Sequence, residues 1–203
     1  MPKKRKQHTD QTAAKPVNNL SAQLPELRAG QSVALLQALH ILTRDGRINQ
    51  DTRRKLKQVY HLVQFIEPLL TEAVQARGNV SLVDHGAGKS YLGFILYDLV
   101  LKGLGLGEVI GIETREELVQ KSSALAQSLG FERMRFHALS VAQAMTDERI
   151  AKVVDVVTAL HACDTATDDA IAFGLARQAH AMVLVPCCQA EMASVLRQNR
   201  GLK

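Results

Sequence analysis

The residues in this sequence best suited to chemistry are two carboxylates and a glycine turn. Asp84 closes the apolar run Val80-Ser81-Leu82-Val83, and Glu113 closes a second run through Val109-Ile110-Gly111-Ile112. Gly86-Ala87-Gly88 follows the first acid, and a helix-like stretch begins at Ser90. Glycine has no Cβ, so the backbone can turn sharply there and approach a ligand. Ser90 is of a type that caps a helix, which would aim free N–H groups at whatever lies on the turn. An apolar strand ending in an acid and a glycine turn reads as a cofactor-binding turn.

Three cofactors compete for it. Gly88-Lys89-Ser90 looks like the end of a phosphate-binding loop, G-x-x-x-x-G-K-[ST]. The first glycine of that loop would fall at Val83, inside the strand, so the turn is too short to wrap a triphosphate. The dinucleotide fingerprint read from Gly86 wants Gly or Ala at position 91, where Tyr91 stands. S-adenosylmethionine carries adenosine without phosphate, and its requirements are met in order. Asp84 can organise the turn and hold the methionine ammonium, directly or through water. Glu113 can accept both ribose hydroxyls, and Ala138-Leu139-Ser140 falls where adenine would be gripped, although Ser140 is a weaker acceptor for the adenine amine than Asp or Asn. The expected cofactor contacts are Asp84, Gly86, Ala87, Gly88, Glu113, Thr114, Leu139, Ser140 and Leu160.

These residues need a scaffold, and the hydrophobic pattern supplies one. Strands are expected at 80–84, 108–113, 133–138, 153–160 and 180–186, alternating with helices at 90–102, 115–129, 140–150 and 166–178 and a last helical segment after Cys188. Gly130 is placed to end its helix. Five such units in succession imply an α/β, doubly wound parallel sheet, with ligands at the carboxyl ends of the strands beside the first one. Upstream, Val33, Leu35, Leu36, Leu39, Ile41 and Leu42 suit a buried helix broken at Arg44-Asp45-Gly46-Arg47. A longer helix follows over 50–77, with Pro68 a kink or the start of a second segment. Arg53, Arg54, Lys55 and Lys57 crowd its start, as a solvated face or as a phosphate-binding surface. The expected organisation is a basic tail at 1–28, a helical cap at 29–77 and the cofactor-binding domain at 78–203.

Composition narrows the class of protein. The chain has 203 residues, 46% of them hydrophobic, enough for one core plus a tail. No apolar run approaches the length of a membrane span, and no apolar segment follows the basic N-terminus to make a signal peptide. Within residues 1–15, Lys3, Lys4, Arg5, Lys6 and Lys15 are offset by Asp10 alone, so most of the net charge of +5 sits there. The tail reads as a solvated segment, a non-specific nucleic-acid contact or a short nuclear-import signal. Three clustered cysteines make no disulfide framework, which fits a reducing cytoplasm.

From about Lys55 onward the chain resembles the methyltransferase-domain family that includes the methyltransferase-like proteins and the ribosomal RNA adenine dimethylase domain-containing protein. The resemblance rests on VDHGAGKSYLGFIL (83–96), IGIETREELV (110–119), ALHACDTATDDAI (159–171) and VPCCQAE (185–191). It implies a Rossmann-like class I methyltransferase sheet, S-adenosylmethionine bound at Asp84, Gly86, Gly88 and Glu113, and an RNA or protein acceptor. That fold closes with two further strands, whereas this sequence ends at Lys203. The expectation is a fragment or truncated product, or a partner that covers the fifth strand's edge.

Methyl transfer is an in-line displacement, so the protein must position the acceptor and, where needed, take its proton. The loop after the fourth strand, Leu160-His161-Ala162-Cys163-Asp164, is expected to supply these groups. His161 is read as general base or as a hydrogen-bonded wall of the pocket. Asp164 is read as orienting His161 or the acceptor amine, or as a helix cap. Cys163, Cys187 and Cys188 are read as packing or pocket wall, with a reactive thiol and zinc ligation as lesser readings; no metal site is expected. A non-catalytic module that keeps the fold and holds RNA or a protein is the alternative.

Overall fold

The apolar runs form one parallel sheet. A computed structural model describes residues 27–162 and 165–186, with His161, Ala162 and Thr165 described by backbone alone. Within these, β1 (Ser81–His85), β2 (Glu108–Glu113), β3 (Met134–Ala138), β4 (Val156–Ala162) and β5 (Ala181–Pro186) lie in the order β3-β2-β1-β4-β5. Every pairing is parallel. The order reverses beside β1, so the crevice of this doubly wound, Rossmann-like sheet opens where the glycine turn leaves that strand. Among the described residues β5 forms one edge.

Successive strand residues face opposite sides of the sheet, and two separate apolar clusters record the alternation. Leu82 and Val109 join one cluster, which is covered by α1 (Val33–Ala38), α2 (Gln50–Arg77), α3 (Tyr91–Leu96) and α5 (Glu116–Ser128). Val83, Ile110 and Val157 join the other, under α6 (Val141–Thr146) and α7 (Thr165–Ala176), whose Phe173 lies at its centre. The helices of 29–77 thus share a core with the sheet.

Helix α2 runs unbroken through Pro68. A proline inside a helix costs about 3 kcal/mol. Burying Val63, Ile66, Leu70 and Ala73 on one face contributes about 1.5–3 kcal/mol for each large side chain, so packing outweighs the break. Arg28, expected in the loose tail, is tied to this helix: its guanidinium donates to the Tyr60 carbonyl at 3.3 Å and lies 5.4 Å from the centre of the Tyr60 ring.

The single helix expected at 90–102 is instead α3, a π-helical turn at Tyr97–Leu101 and the short α4 (Lys102–Leu104). Buried Asp98 in the π turn accepts from the Ser32 N–H at 2.7 Å and from Gln31 Nε2 at 2.6 Å. It thereby joins the start of α1 to this segment. The expected helix 140–150 stops at Thr146, and the expected strand 153–160 begins at Val156. A buried arginine fixes that connection. Arg177 donates to the carbonyls of Ala144, Asp147, Ile150 and Ala151, at 2.6, 2.7, 2.9 and 3.3 Å. They lie at the end of α6 and in the turns after it, where helix geometry leaves carbonyls free; the Asp147 carbonyl also accepts from Ile150 N–H at 3.2 Å. No helix among the described residues is long and apolar enough to cross a membrane.

Replacing Arg177 with Met fills the space but takes the guanidinium from the carbonyls of Ala144 and Ile150, both fully buried residues. Urea unfolding should show a loss of about 3 kcal/mol or more.

Candidate cofactor site

At the end of β1, the chain places two polar residues on opposite faces of the sheet. Asp84 turns toward α3 and is 2% exposed. Its Oδ2 accepts from the Ser90 hydroxyl at 2.8 Å, and its Oδ1 accepts from the Thr158 hydroxyl on β4 at 2.9 Å. Gly93 permits this closeness: a Cβ there would collide with Ser90 Oγ and come within 3.3 Å of Asp84 Oδ2. The expected cap is corrected here. Ser90 adopts a left-handed backbone, φ 49°, and makes no side-chain capping bond to α3. Its hydroxyl serves the buried acid instead.

Burial raises the Asp84 carboxyl from 3.8 to about 6, against the opposing hydrogen bonds from Ser90, Thr158 and the Gly93 backbone. The charged form is therefore the costly one in the folded protein.

The turn itself is held from β2. Ala87 N–H donates to the Ile112 carbonyl at 2.9 Å, and Gly88 N–H donates to Glu113 Oε2 at 2.8 Å. Gly86 and Gly88 take φ of 63° and 57°, the left-handed region that glycine enters without strain. Glu113, 7% exposed, is fully engaged. Arg115 clasps it with Nε at 3.0 Å from Oε1 and Nη2 at 3.1 Å from Oε2, and the Arg115 N–H adds a bond at 3.1 Å. Thr114 Oγ1 lies 3.3 Å from Oε1. Burial alone would raise this carboxyl; the bonds from the Arg115 side chain and N–H and from Gly88 N–H hold it down at about 2.

Two cavities flank that ion pair. One, of about 230 Å³, is lined by Asp84, Gly86, Ala87, Gly88, Tyr91 and Leu160. The other, of about 310 Å³, is lined by His85, Ile112, Glu113, Thr114, Leu139 and Asp169. Arg115 borders both. Small-molecule sites run to about 300–1,000 Å³, so one cavity falls short of that range and the other barely enters it. Joined, they fall well within it. Arg115 stands at the junction.

Eight of the nine expected cofactor contacts therefore border one crevice. The ninth, Ser140, lines neither cavity. It caps α6 in a reciprocal capping box with Gln143, its N–H donating to Gln143 Oε1 at 2.8 Å. His161 is next to last in β4, with its side chain outside the description. Asp164, Cys163, Cys187 and Cys188 lie outside the described residues. Three residues of the site escaped the sequence reading: Thr158, Arg115 and His85. Arg115 left a faint signal, a cation two positions after the acid. Thr158 left none, being 74 positions from Asp84.

A family model described as a methyltransferase domain matches residues 54–195, more than two thirds of the chain. Similar solved structures include an rRNA methylase from Streptococcus thermophilus, 18% identical, covering 68% of this chain and 78% of that one at a TM-score of 0.46. An uncharacterized protein from Listeria monocytogenes serotype 4b is 17% identical over 70% of this chain and 56% of its own, TM-score 0.49. The YcgJ protein from Bacillus subtilis is 23% identical over 46% of this chain and 37% of its own, TM-score 0.33. The chain thus spans less than two thirds of the length of the last two. No curated protein matches the sequence.

Two outcomes test this geometry. Because the folded pKa of Asp84 lies above its unfolded value, its charge destabilises the fold fully above about pH 6 and progressively less as pH falls toward 3.8. Asp84→Asn should therefore raise stability at pH 8 by on the order of 3 kcal/mol, with the gain vanishing near pH 4 in urea melts. Arg115→Ala should join the two cavities, seen as a several-fold tighter complex with S-adenosylhomocysteine, about 3–10-fold by the strength of one net hydrogen bond.

Proposed function

The chain belongs to the methyltransferase-domain family, and from that membership we propose that it uses S-adenosylmethionine to methylate an RNA or protein acceptor in the cytoplasm. One observation carries the cofactor assignment. Glu113 ends β2 in the wall of the larger cavity, with both carboxylate oxygens paired to Arg115, which borders both cavities, and it is bound to the turn through Gly88 N–H. A carboxylate with two oxygens can accept both hydroxyls of a ribose, and here only the mobile end of a side chain, Arg115, has to move to admit them. The side chain of Arg115 is 62% exposed, so it can swing into water at little cost.

The residues fit the cofactor unequally. On this reading the nucleoside half takes the larger cavity, between Ile112 and Leu139, with its sugar on Glu113 and Thr114. The methionine half takes the smaller one, beside Gly86, Gly88 and Leu160. Asp84 already spends its oxygens on Ser90 and Thr158, so its role is to fix the turn and the mouth of β4, with any contact to the ammonium running through water. When bound, S-adenosylmethionine supplies a methyl group on a positively charged sulfur. The chain's own task is then to align an acceptor lone pair opposite that sulfur and to receive the acceptor's proton. His161 at the end of β4 is the proposed base, Asp164 the proposed positioning group. The basic residues 3–6 are the proposed contact for an RNA acceptor.

Calorimetry with S-adenosylhomocysteine tests the cofactor. The wild type should bind, and Asp84→Ala and Glu113→Ala should each weaken binding by about tenfold or more. A folded wild type that takes up no S-adenosylhomocysteine overturns the reading. Transfer of labelled methyl groups into cell extract, divided between nuclease- and protease-treated samples, then identifies the acceptor. Label that survives nuclease and is lost with protease excludes RNA.

A further inference from the structure

His85 is a second buried polar residue on β1, and nothing in the fold uses its polarity. Its side chain faces the opposite side of the sheet from Asp84 and lies against Phe173, ring centres 5.6 Å apart. It is 6% exposed. Neither Nδ1 nor Nε2 has a hydrogen-bond partner, and both are closed to solvent. Phenylalanine would fill the same space against Phe173 without leaving two polar atoms unsatisfied, so packing alone does not account for an imidazole here.

The ring borders the larger cavity, whose other walls include the aliphatic Ile112, Leu139, Val141 and Ala166 and the acids Glu113 and Asp169. Aliphatic walls suit the faces of a flat ring. A hydroxyl acceptor among the walls suits a sugar. A neutral imidazole offers one donor and one acceptor, which complements the paired donor and acceptor on the edge of an aminopurine. Burial favours that neutral form, with Asp169 and Glu113 opposing it.

We propose that His85 is a specificity-determining residue that reads the edge of the adenine base, turning about its Cβ–Cγ bond to present a ring nitrogen as the base enters. This rests on the S-adenosylmethionine reading above and adds a contact on the face of β1 away from the glycine turn's own hydrogen bonds.

The test compares S-adenosylhomocysteine with S-inosylhomocysteine, in which a carbonyl replaces the adenine amine. The wild type should prefer the adenine compound. His85→Phe should bind it about 3–12-fold more weakly, the worth of one net hydrogen bond, and should bind the two compounds alike. His85→Gln, whose amide keeps a donor and an acceptor, should restore part of the preference. Without ligand, His85→Phe should melt about 2–4 °C higher, since two unsatisfied atoms are gone. Should that variant fail to fold, His85→Asn, too short to reach the base, is compared in the same way. If the wild type binds S-adenosylhomocysteine and both His85→Phe and His85→Asn keep its preference and affinity, His85 is no reader and the proposal is overturned. If the wild type binds neither compound, the cofactor reading falls and this inference falls with it.

Discussion

The site is organised by one buried charge. Asp84 is enclosed at the point where three pieces of chain meet: the end of β1, the turn into α3 and the middle of β4. A carboxylate without partners in such a place would cost several kcal/mol. The Ser90 and Thr158 hydroxyls meet it from two directions. The compensation is incomplete, as the raised carboxyl shows, and a less polar residue would make a more stable fold. What the acid secures in return is geometry. Ser90 meets it from a left-handed backbone, at the bend between Gly86-Ala87-Gly88 and α3.

A second carboxylate completes the frame under opposite conditions. Glu113 lies at the open end of β2, with strong donors on both oxygens, and it remains charged well into acid. Its bond to Gly88 N–H fastens the turn to the neighbouring strand. Its bidentate pair with Arg115 neutralises a charge that would otherwise face the larger cavity. The two acids therefore divide the work: one joins the turn to β4, the other joins it to β2 and to a movable cation. Only the Arg115 side of that pair is exposed, so the cation is its movable partner.

Neighbouring positions on β1 show the same contrast. Asp84 and His85 are both buried, on opposite faces, and only Asp84 has its hydrogen-bonding capacity met. Natural folds leave few such atoms unsatisfied, and where they do, the atoms often lie where a ligand is expected. His85 sits at the wall of a cavity rather than in the middle of a packed cluster, so its cost can be relieved by binding.

Much of this architecture was legible in the residues themselves. Apolar runs at 80–84, 108–113, 133–138 and 180–186 became strands within a residue or so; β1 and β2, buried on both faces, leave the clearest composition. The acids ending β1 and β2 and the two glycines with positive φ are equally local, and they marked the crevice. Boundaries set by long-range bonds were misjudged: helix 140–150 ended early, where Arg177 reaches the carbonyls that follow α6, and helix 90–102 split at the π turn that carries Asp98. Pro68 starts no second segment, since core burial along α2 outweighs the local break. Which hydroxyls would meet Asp84, that Ser90 would bend toward the acid instead of capping α3, that Ser140 would cap α6 outside the cavities, and that His85 would be left without a partner are facts of tertiary structure alone. Local composition determines which segments bury and where glycine must turn. Pairings between residues as far apart as Asp84 and Thr158 arise only when the sheet brings their strands together, and those pairings decide what the crevice can hold.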